Sequence, residues 1–294
     1  LAPDDASARL LLASGYIGAG RANEARQELN SLLRDQPNYG AALLQMALLN
    51  ISQQRYREAD ATLARLYTPG KSDPQVIRAI VRSKAMQRQF DSAQQLLEQE
   101  IKLSSNPAEL RSLLASVDLA AGRSEKAVAG LQLALSEKPD VPDYHLQLAI
   151  AHKQRKDLDQ AASVLDAAVQ KFPKDDRVLW ESVAITEQRG DRQKALERYR
   201  MLQQLTPENA NVLNNIAFSL AELGRDLDEA LSLAERAVRQ DPQSPGFADT
   251  LAWVQLKRGN TEAALRTFQN LVQRFPDDAG YQQHLKAAQA AQKR

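Results

Sequence analysis

Ala195-Leu196-Glu197-Arg198-Tyr199 with Pro207, Ala230-Leu231-Ser232-Leu233-Ala234 with Pro242, and Ala264-Leu265-Arg266-Thr267-Phe268 with Pro276 are three copies of one pattern. In each, an aromatic or small residue follows an alanine by four positions, and a proline follows it by twelve. The prolines stand 34 or 35 residues apart. A proline at the end of such a segment stops a helix, because it has no N–H to give and its ring clashes with the preceding turn.

The rest of the composition agrees with a helical reading. Leu, Ala, Gln, Glu, Arg and Lys dominate the 294 residues, while Val, Ile, Thr and aromatic residues are sparse. Lys and Arg number 38 against 37 Asp and Glu, with no basic block or acidic tail, so nucleic-acid and membrane-surface binding are disfavoured. Without cysteine there is neither a disulfide framework nor a thiolate metal site. No run of 18 apolar residues occurs, so nothing here is long enough to span a bilayer as a helix.

A period of 34 with this Ala and Pro placement resembles the tetratricopeptide repeat (TPR). The resemblance covers essentially the whole chain. It implies an all-α, right-handed α-α superhelix, a TPR solenoid of eight repeats plus a C-terminal capping helix. Within a repeat it implies packing positions at phases 7, 8 and 11 of the first helix, a turn at phase 15, packing at 20, 24 and 27, and proline at 32. The expected repeats are 6–39, 40–73, 74–107, 108–141, 142–175, 176–209, 210–244 and 245–278, and the seventh carries one extra residue in Arg225-Asp226-Leu227-Asp228.

The first repeat matches completely, with Leu12, Ala13, Tyr16, Gly20, Ala25, Leu29, Leu32 and Pro37. The second ends irregularly, with Lys71 at the proline phase between Pro69 and Pro74. The third departs most, at Lys84, Arg88, Glu100 and Ser105, and the loosest packing is expected there. Register nevertheless holds over three periods from Pro37 to Pro139. Glycine at phase 15 suits the positive φ of a tight helical turn. Each helix pair leaves an apolar face that its neighbour covers.

The ends are read in the same phase. Pro3 lies 34 residues before Pro37, so residues 1–5 read as the tail of a preceding repeat and the chain as a fragment. Residues 279–294 read as a polar capping helix, with Lys286 and Gln289 at phases that a further repeat would fill with small or apolar residues. This places the natural C-terminus near Arg294.

In the family, phases 2, 5, 9, 12 and 13 of the first helix line a concave groove. Carried over, they give Leu44, Leu48, Arg78, Arg82, Leu146, Ile150, Trp180, Asn214, Phe218, Asp249 and Trp253, and Asn215 adjoins this set. The candidate partner-binding residues are therefore Arg78, Arg82, Trp180, Asn214, Asn215, Phe218, Asp249 and Trp253. Trp and Arg anchor binding surfaces, and Asn bonds to an extended peptide backbone. The competing reading is that the tryptophans fill space between first helices and the arginines sit on a solvated face. Arg78 and Arg82, one turn apart, are a candidate pair for a carboxylate. The Lys and Asn of the chaperone-tail clamp are missing, since Leu10/Ser14 and Leu44/Leu48 stand there.

His145 and His152 share a helix face, with Asp143 or Asp157 in reach, but a structural metal site needs four ligands in defined geometry. No nucleophile elbow, phosphate loop or zinc-protease motif occurs. No catalytic, cofactor or metal site is expected. Asp175-Asp176 and Asp277-Asp278 are read as caps of the helices that follow.

Leu213-Asn214-Asn215-Ile216-Ala217, Gly224 to Ala230 and Asp249-Thr250-Leu251-Ala252-Trp253 resemble bacterial TPR proteins of the cell envelope, those of exopolysaccharide export and PEP-CTERM sorting systems. That resemblance implies a periplasmic or outer-membrane-associated adaptor with a protein or peptide segment as partner. A polysaccharide is a second class, through Trp180 and Trp253 stacking on sugars. The alternatives are an adaptor presenting substrates to a protease, the recognition arm of a larger enzyme such as a glycosyltransferase, and a cytoplasmic location.

Overall fold

The computed structural model describes residues 5–293, so the expected tail at residues 1–5 lies outside the described residues save for Asp5. All regular structure among them is α-helical, in seventeen helices that in chain order supply a first and a second helix for each of eight repeats and a last single helix. The first helices of the pairs are α1 (Ala6–Gly18), α3 (Gly40–Ser52), α5 (Pro74–Met86), α7 (Ala108–Ala120), α9 (Pro142–Gln154), α11 (Asp176–Gln188), α13 (Ala210–Leu223) and α15 (Pro245–Lys257). The second helices are α2 (Ala22–Asp35), α4 (Tyr56–Ala64), α6 (Phe90–Leu103), α8 (Ser124–Glu137), α10 (Leu158–Lys171), α12 (Arg192–Leu205), α14 (Leu227–Gln240) and α16 (Thr261–Arg274). Helix α17 (Ala279–Gln292) follows. Two compact units make up the chain, Leu1–Arg155 and Lys156–Arg294.

Local chemistry explains where the helices start. Asp73, Asp157, Asp175, Asp191, Asn209, Ser244 and Asp278 each accept a backbone N–H of the first turn that would otherwise lack a partner. The Arg177 guanidinium, with help from the helix N–H groups, holds the Asp175 carboxyl below the usual carboxylate range.

The turn inside each pair carries one left-handed residue. It is Gly20, Gly122, Gly190, Gly224 or Gly259 in five pairs, and Gln54, Arg88 or Lys156 in the other three, with φ between 58° and 61°. Glycine is thus a preference at this position, not a condition: the geometry of the turn imposes positive φ on whatever residue stands there. Asp226, the extra residue of the seventh pair, is left-handed as well.

In the unit Leu1–Arg155 the first helices lie side by side in chain order, and each second helix backs its own pair. The core is built of alanines at the close crossings and leucines beside them: Ala25, Leu29, Ala59, Leu63, Ala93, Leu97, Ala127 and Leu131 are all at most 1% exposed. Helices α5 and α6 approach each other less closely along their backbones than the other pairs within this unit, α1 with α2, α3 with α4 and α7 with α8. The space is filled by side chains, since Val76, Ile77, Ala79, Ile80, Val81 and Ser83 of α5 are all buried. Glu100 is buried where most other pairs place leucine or alanine, and it is satisfied there. Its carboxylate accepts from the Tyr67 hydroxyl at 2.7 Å and the Gly70 N–H at 3.1 Å, which folds the irregular 65–73 connection down onto α6.

In the unit Lys156–Arg294 a buried alanine is again followed four residues later by a large buried residue in Ala161 and Leu165, Ala195 and Tyr199, and Ala264 and Phe268, and by a second alanine in Ala230 and Ala234. Helix α17 lies against α16 and α15 and buries only Ala288 completely.

A charge ladder accompanies the stack. Arg123 pairs with Asp91 and Arg155 with Glu125 in the first unit, and Arg189 with Asp159 and Arg258 with Asp228 in the second. Each ties the turn of one pair to the second helix of the pair before. With the carboxylates largely exposed, each pair contributes at most about 1 kcal/mol; its value lies in fixing the turn.

Candidate functional site

Two of the grooves over the first helices of the unit Leu1–Arg155 hold the candidate arginines. The larger, of about 510 Å³, runs over α5, α7 and α9. Its apolar floor is Leu110, Leu113 and Val141, and its polar rim includes Ser104, Asn106, Ser116 and Asp143. Tyr144 closes one side, with burial pushing its phenol up from the ordinary value. Ser112 donates to the Gln147 side chain at 2.9 Å across α7 and α9, so this part of the wall is held in one arrangement. The smaller groove, about 370 Å³, lies over α1, α3 and α5 and is lined by Ser14, Ile17, Gln45, Leu48, Leu49, Ser52 and Arg82.

These grooves separate the two arginines that the sequence pairs. Arg78 lines the larger groove and is ion-paired to Glu109 of α7. Arg82 lines the smaller one. They do not form one two-armed receptor for a single carboxylate.

In the unit Lys156–Arg294 the other candidates fall into two groups. Trp253 is half-buried and engaged from several sides. His284 of α17 stacks on it with centroids 4.3 Å apart, the Lys257 ammonium lies 4.8 Å from the ring centre, and the indole N–H donates to Glu222 at 2.9 Å. Glu222 also pairs with Arg192 at 3.1 Å, and the Arg192 guanidinium sits 5.6 Å from the Phe218 ring centre. Asp249 is buried and accepts from His284 Nδ1 at 2.9 Å. Trp253, Phe218 and Asp249 thus belong to one cation, aromatic and carboxylate cluster that docks α17 on α15. An indole held by a stacked imidazole and an ammonium is not an open platform for a sugar ring, and a polysaccharide partner has no support here.

Trp180 stands apart. It is 36% exposed and meets Tyr199 edge-on at 6.1 Å. The Tyr199 hydroxyl donates to Glu187 at 2.7 Å, and burial, with Glu187 second, drives its pKa far up. Asn214 and Asn215 are half-buried neighbours, with the Asn214 amide donating to Asn215 at 3.3 Å.

Sequence reasoning missed Glu222, Lys257, His284 and Arg192 as partners, along with the Ser112, Tyr144 and Gln147 wall. A signal existed for the first two, which occupy phase 13 of their repeats, and for Ser112, Ser116 and Glu109 at phases 5, 9 and 2. Among the described residues no group of three or more His, Cys, Asp or Glu is placed to hold a metal ion. His145 contacts the Pro139 carbonyl at 3.1 Å. No described helix is long and apolar enough to cross a membrane.

Comparison with known proteins agrees with this architecture. Family profiles of the tetratricopeptide repeat match residues 85–148 and 224–288, 142–185, and 187–245. A TPR repeat-containing protein of Pseudomonas aeruginosa is 29% identical over 175 residues, 58% of this chain and 29% of that protein. Cellulose synthase operon protein C of Pseudomonas fluorescens is 24% identical over 318 residues, 89% of this chain and 25% of that protein. Human protein O-mannosyl-transferase TMTC1 is 26% identical over 167 residues, 55% of this chain and 19% of that protein. The chain therefore spans less than a third of the length of these curated relatives.

Among solved structures, the C-terminal part of a TPR repeat-containing protein from Cytophaga hutchinsonii aligns with TM-score 0.60 at 14% identity, over 82% of this chain and 99% of that one. YrrB, described as a TPR protein with an unusual peptide-binding site, aligns with TM-score 0.55 at 17% identity, over 67% and 98%. At such identities the likeness is one of fold.

Proposed function

Since the chain belongs to the tetratricopeptide-repeat family, we propose that it is a non-enzymatic scaffold that holds a segment of a partner protein against its first helices, within the envelope-assembly or exopolysaccharide-export machinery of a bacterium. The observation that carries the binding half is the groove over α5, α7 and α9. It has an apolar floor, a rim of polar side chains able to bond a peptide backbone, and a wall braced by Ser112 and Gln147. Trp180, Asn214 and Asn215 are the corresponding candidates in the second unit, half-buried or exposed on first helices. The envelope half rests on the similarity to cellulose synthase operon protein C, which runs over 89% of the chain. A periplasmic or outer-membrane-associated location belongs to the same reading.

Photo-crosslinking in native cell extract tests it. A crosslinker replaces Ser116 or Asn214, with an outward control at Arg266. A discrete protein captured from 116 or 214 and not from 266 is the expected result, and an envelope-export component among the captured proteins supports the location. Equal capture from all three positions, or none, overturns the groove reading.

The similarity to an O-mannosyl-transferase favours a second reading, in which this array is the recognition arm of a larger transferase. A transferase domain in the same reading frame decides for it.

A further inference from the structure

The three first helices α1, α3 and α5 differ from the later ones in charge. None contains Asp or Glu, and α3 contains no charged residue at all. Their only charged residues are Arg9, Arg78, Arg82 and Lys84, all cations. By contrast α7, α9, α11, α13 and α15 each carry at least one acid. Two of the four cations are neutralised by neighbours: Arg9 by Glu28 and Asp35, and Arg78 by Glu109. Arg82 has no ion pair or hydrogen bond among the described residues and is exposed at one end of the smaller groove.

The floor of that groove is apolar and open. Ile17 is 39% and Leu48 37% exposed, and they face the groove together with Leu49. Two large aliphatic side chains thus share one groove with an unpaired guanidinium, and the groove lining holds no acid. Ser14, Gln45 and Ser52 are the other polar side chains among the described residues that line it, and the Gln45 amide donates to Ser14, which braces α3 against α1.

We infer that the groove over α1, α3 and α5 docks an acidic amphipathic segment of a partner protein, its large apolar side chains resting on Ile17 and Leu48 and a carboxylate bonding Arg82. Three features match that occupant and no other charge type. Apolar area is available for burial. A planar guanidinium binds a carboxylate through two parallel bonds. The lack of acids on three successive helices removes repulsion towards an anionic chain and leaves a basic one nothing to pair with. The inference rests on the scaffold reading above and narrows it to a partner chemistry and a place.

The probe is a displayed library of random dodecapeptides selected on the immobilised chain. Expected are peptides that combine Asp or Glu with Leu, Ile or Phe, whose binding weakens at least about tenfold in Arg82→Glu. Leu48→Ser, which removes apolar area without adding charge, should weaken it as well, and Arg82→Lys should keep part of it. Both positions are exposed, so circular dichroism of the variants should match the parent. Neutral or basic selected peptides overturn the inference, as does binding indifferent to Arg82→Glu and Leu48→Ser. Peptides lost instead on substitution of Ser116 sink this inference and leave the scaffold reading standing. A library that yields no binder sinks both.

Discussion

The Tyr67 hydroxyl donates to Glu100 at 2.7 Å, and through this bond a carboxylate buried in the second helix of one pair holds the connection leading out of the pair before it. The same carboxylate takes the Gly70 N–H, so Glu100 replaces an apolar packing residue with a clamp. Substituting Glu100→Ala leaves the phenol and the N–H without acceptors at a cost of about 1–3 kcal/mol. Chemical denaturation checks this, and a change near zero would mean that the connection is held by other contacts.

The clamp has a pH signature. Burial first, and Glu100 second, push the Tyr67 pKa up to about 12. A raised folded value means that the folded state holds the phenolic proton more tightly than the unfolded chain, where it leaves near 10. The resulting stability is complete below that unfolded value and is lost as pH rises through about 12. Ultraviolet titration should show Tyr67 ionising earlier in Glu100→Gln than in the parent, though still later than an exposed tyrosine because burial remains.

Asp118 is a built-in weakness. It is 3% exposed, its Oδ1 has no hydrogen-bond partner, and Arg123 stands 4.0 Å away. Burial raises its pKa above the ordinary carboxylate range, against the pull of Lys126 and Arg123. The folded state therefore favours the neutral acid. That contribution is complete below the unfolded carboxylate value and disappears as pH rises through the raised folded one. Once the group is ionised it is a buried burden, and Asp118→Asn should raise Tm by about 2–4 °C on the alkaline side of that ionisation. Melting curves across pH 4 to 8 would show the gain shrinking towards acid, and a uniform gain would exonerate the charge.

The three non-glycine turns predict opposite effects at equivalent positions. A Cβ at Gly122 meets nothing within 4 Å, so Gly122→Ala tests backbone strain alone at φ +74°. It should cost about 1 kcal/mol. Arg88→Gly relieves the same strain at φ 58° and should stabilise by a somewhat smaller amount, since glycine also loosens the unfolded chain. Both variants melting alike would show that the turn carries no strain.

Ala195 and Ala264 lie at close helix crossings, 2% and 0% exposed. Glutamate at either overpacks the crossing and buries a charge, so the loss should exceed about 1–3 kcal/mol. Thermal melting is the check, and an unchanged Tm would overturn the helix register.

Helix existence, the pairing of helices and the count of eight repeats with a last helix were legible along the chain, because their causes are local. Proline stops a helix wherever it stands, capping aspartates act within three residues, and alanines at fixed spacing mark where two helices can approach. The partners of polar side chains were not legible, because they lie about 30 residues away. Phase 27 could mark Glu100 as an intruder but could not say that Tyr67 and Gly70 would come down to meet it. The position of Trp253 could be counted, but not that His284 stacks on it and Glu222 takes its N–H. Arg78 and Arg82 are one turn apart on a helix, and only the packing of α7 against α5 decided that Glu109 neutralises one and leaves the other facing an acid-free groove. A repeat period specifies direction around a helix axis, whereas what lies within bonding distance in that direction is settled by the neighbouring helices.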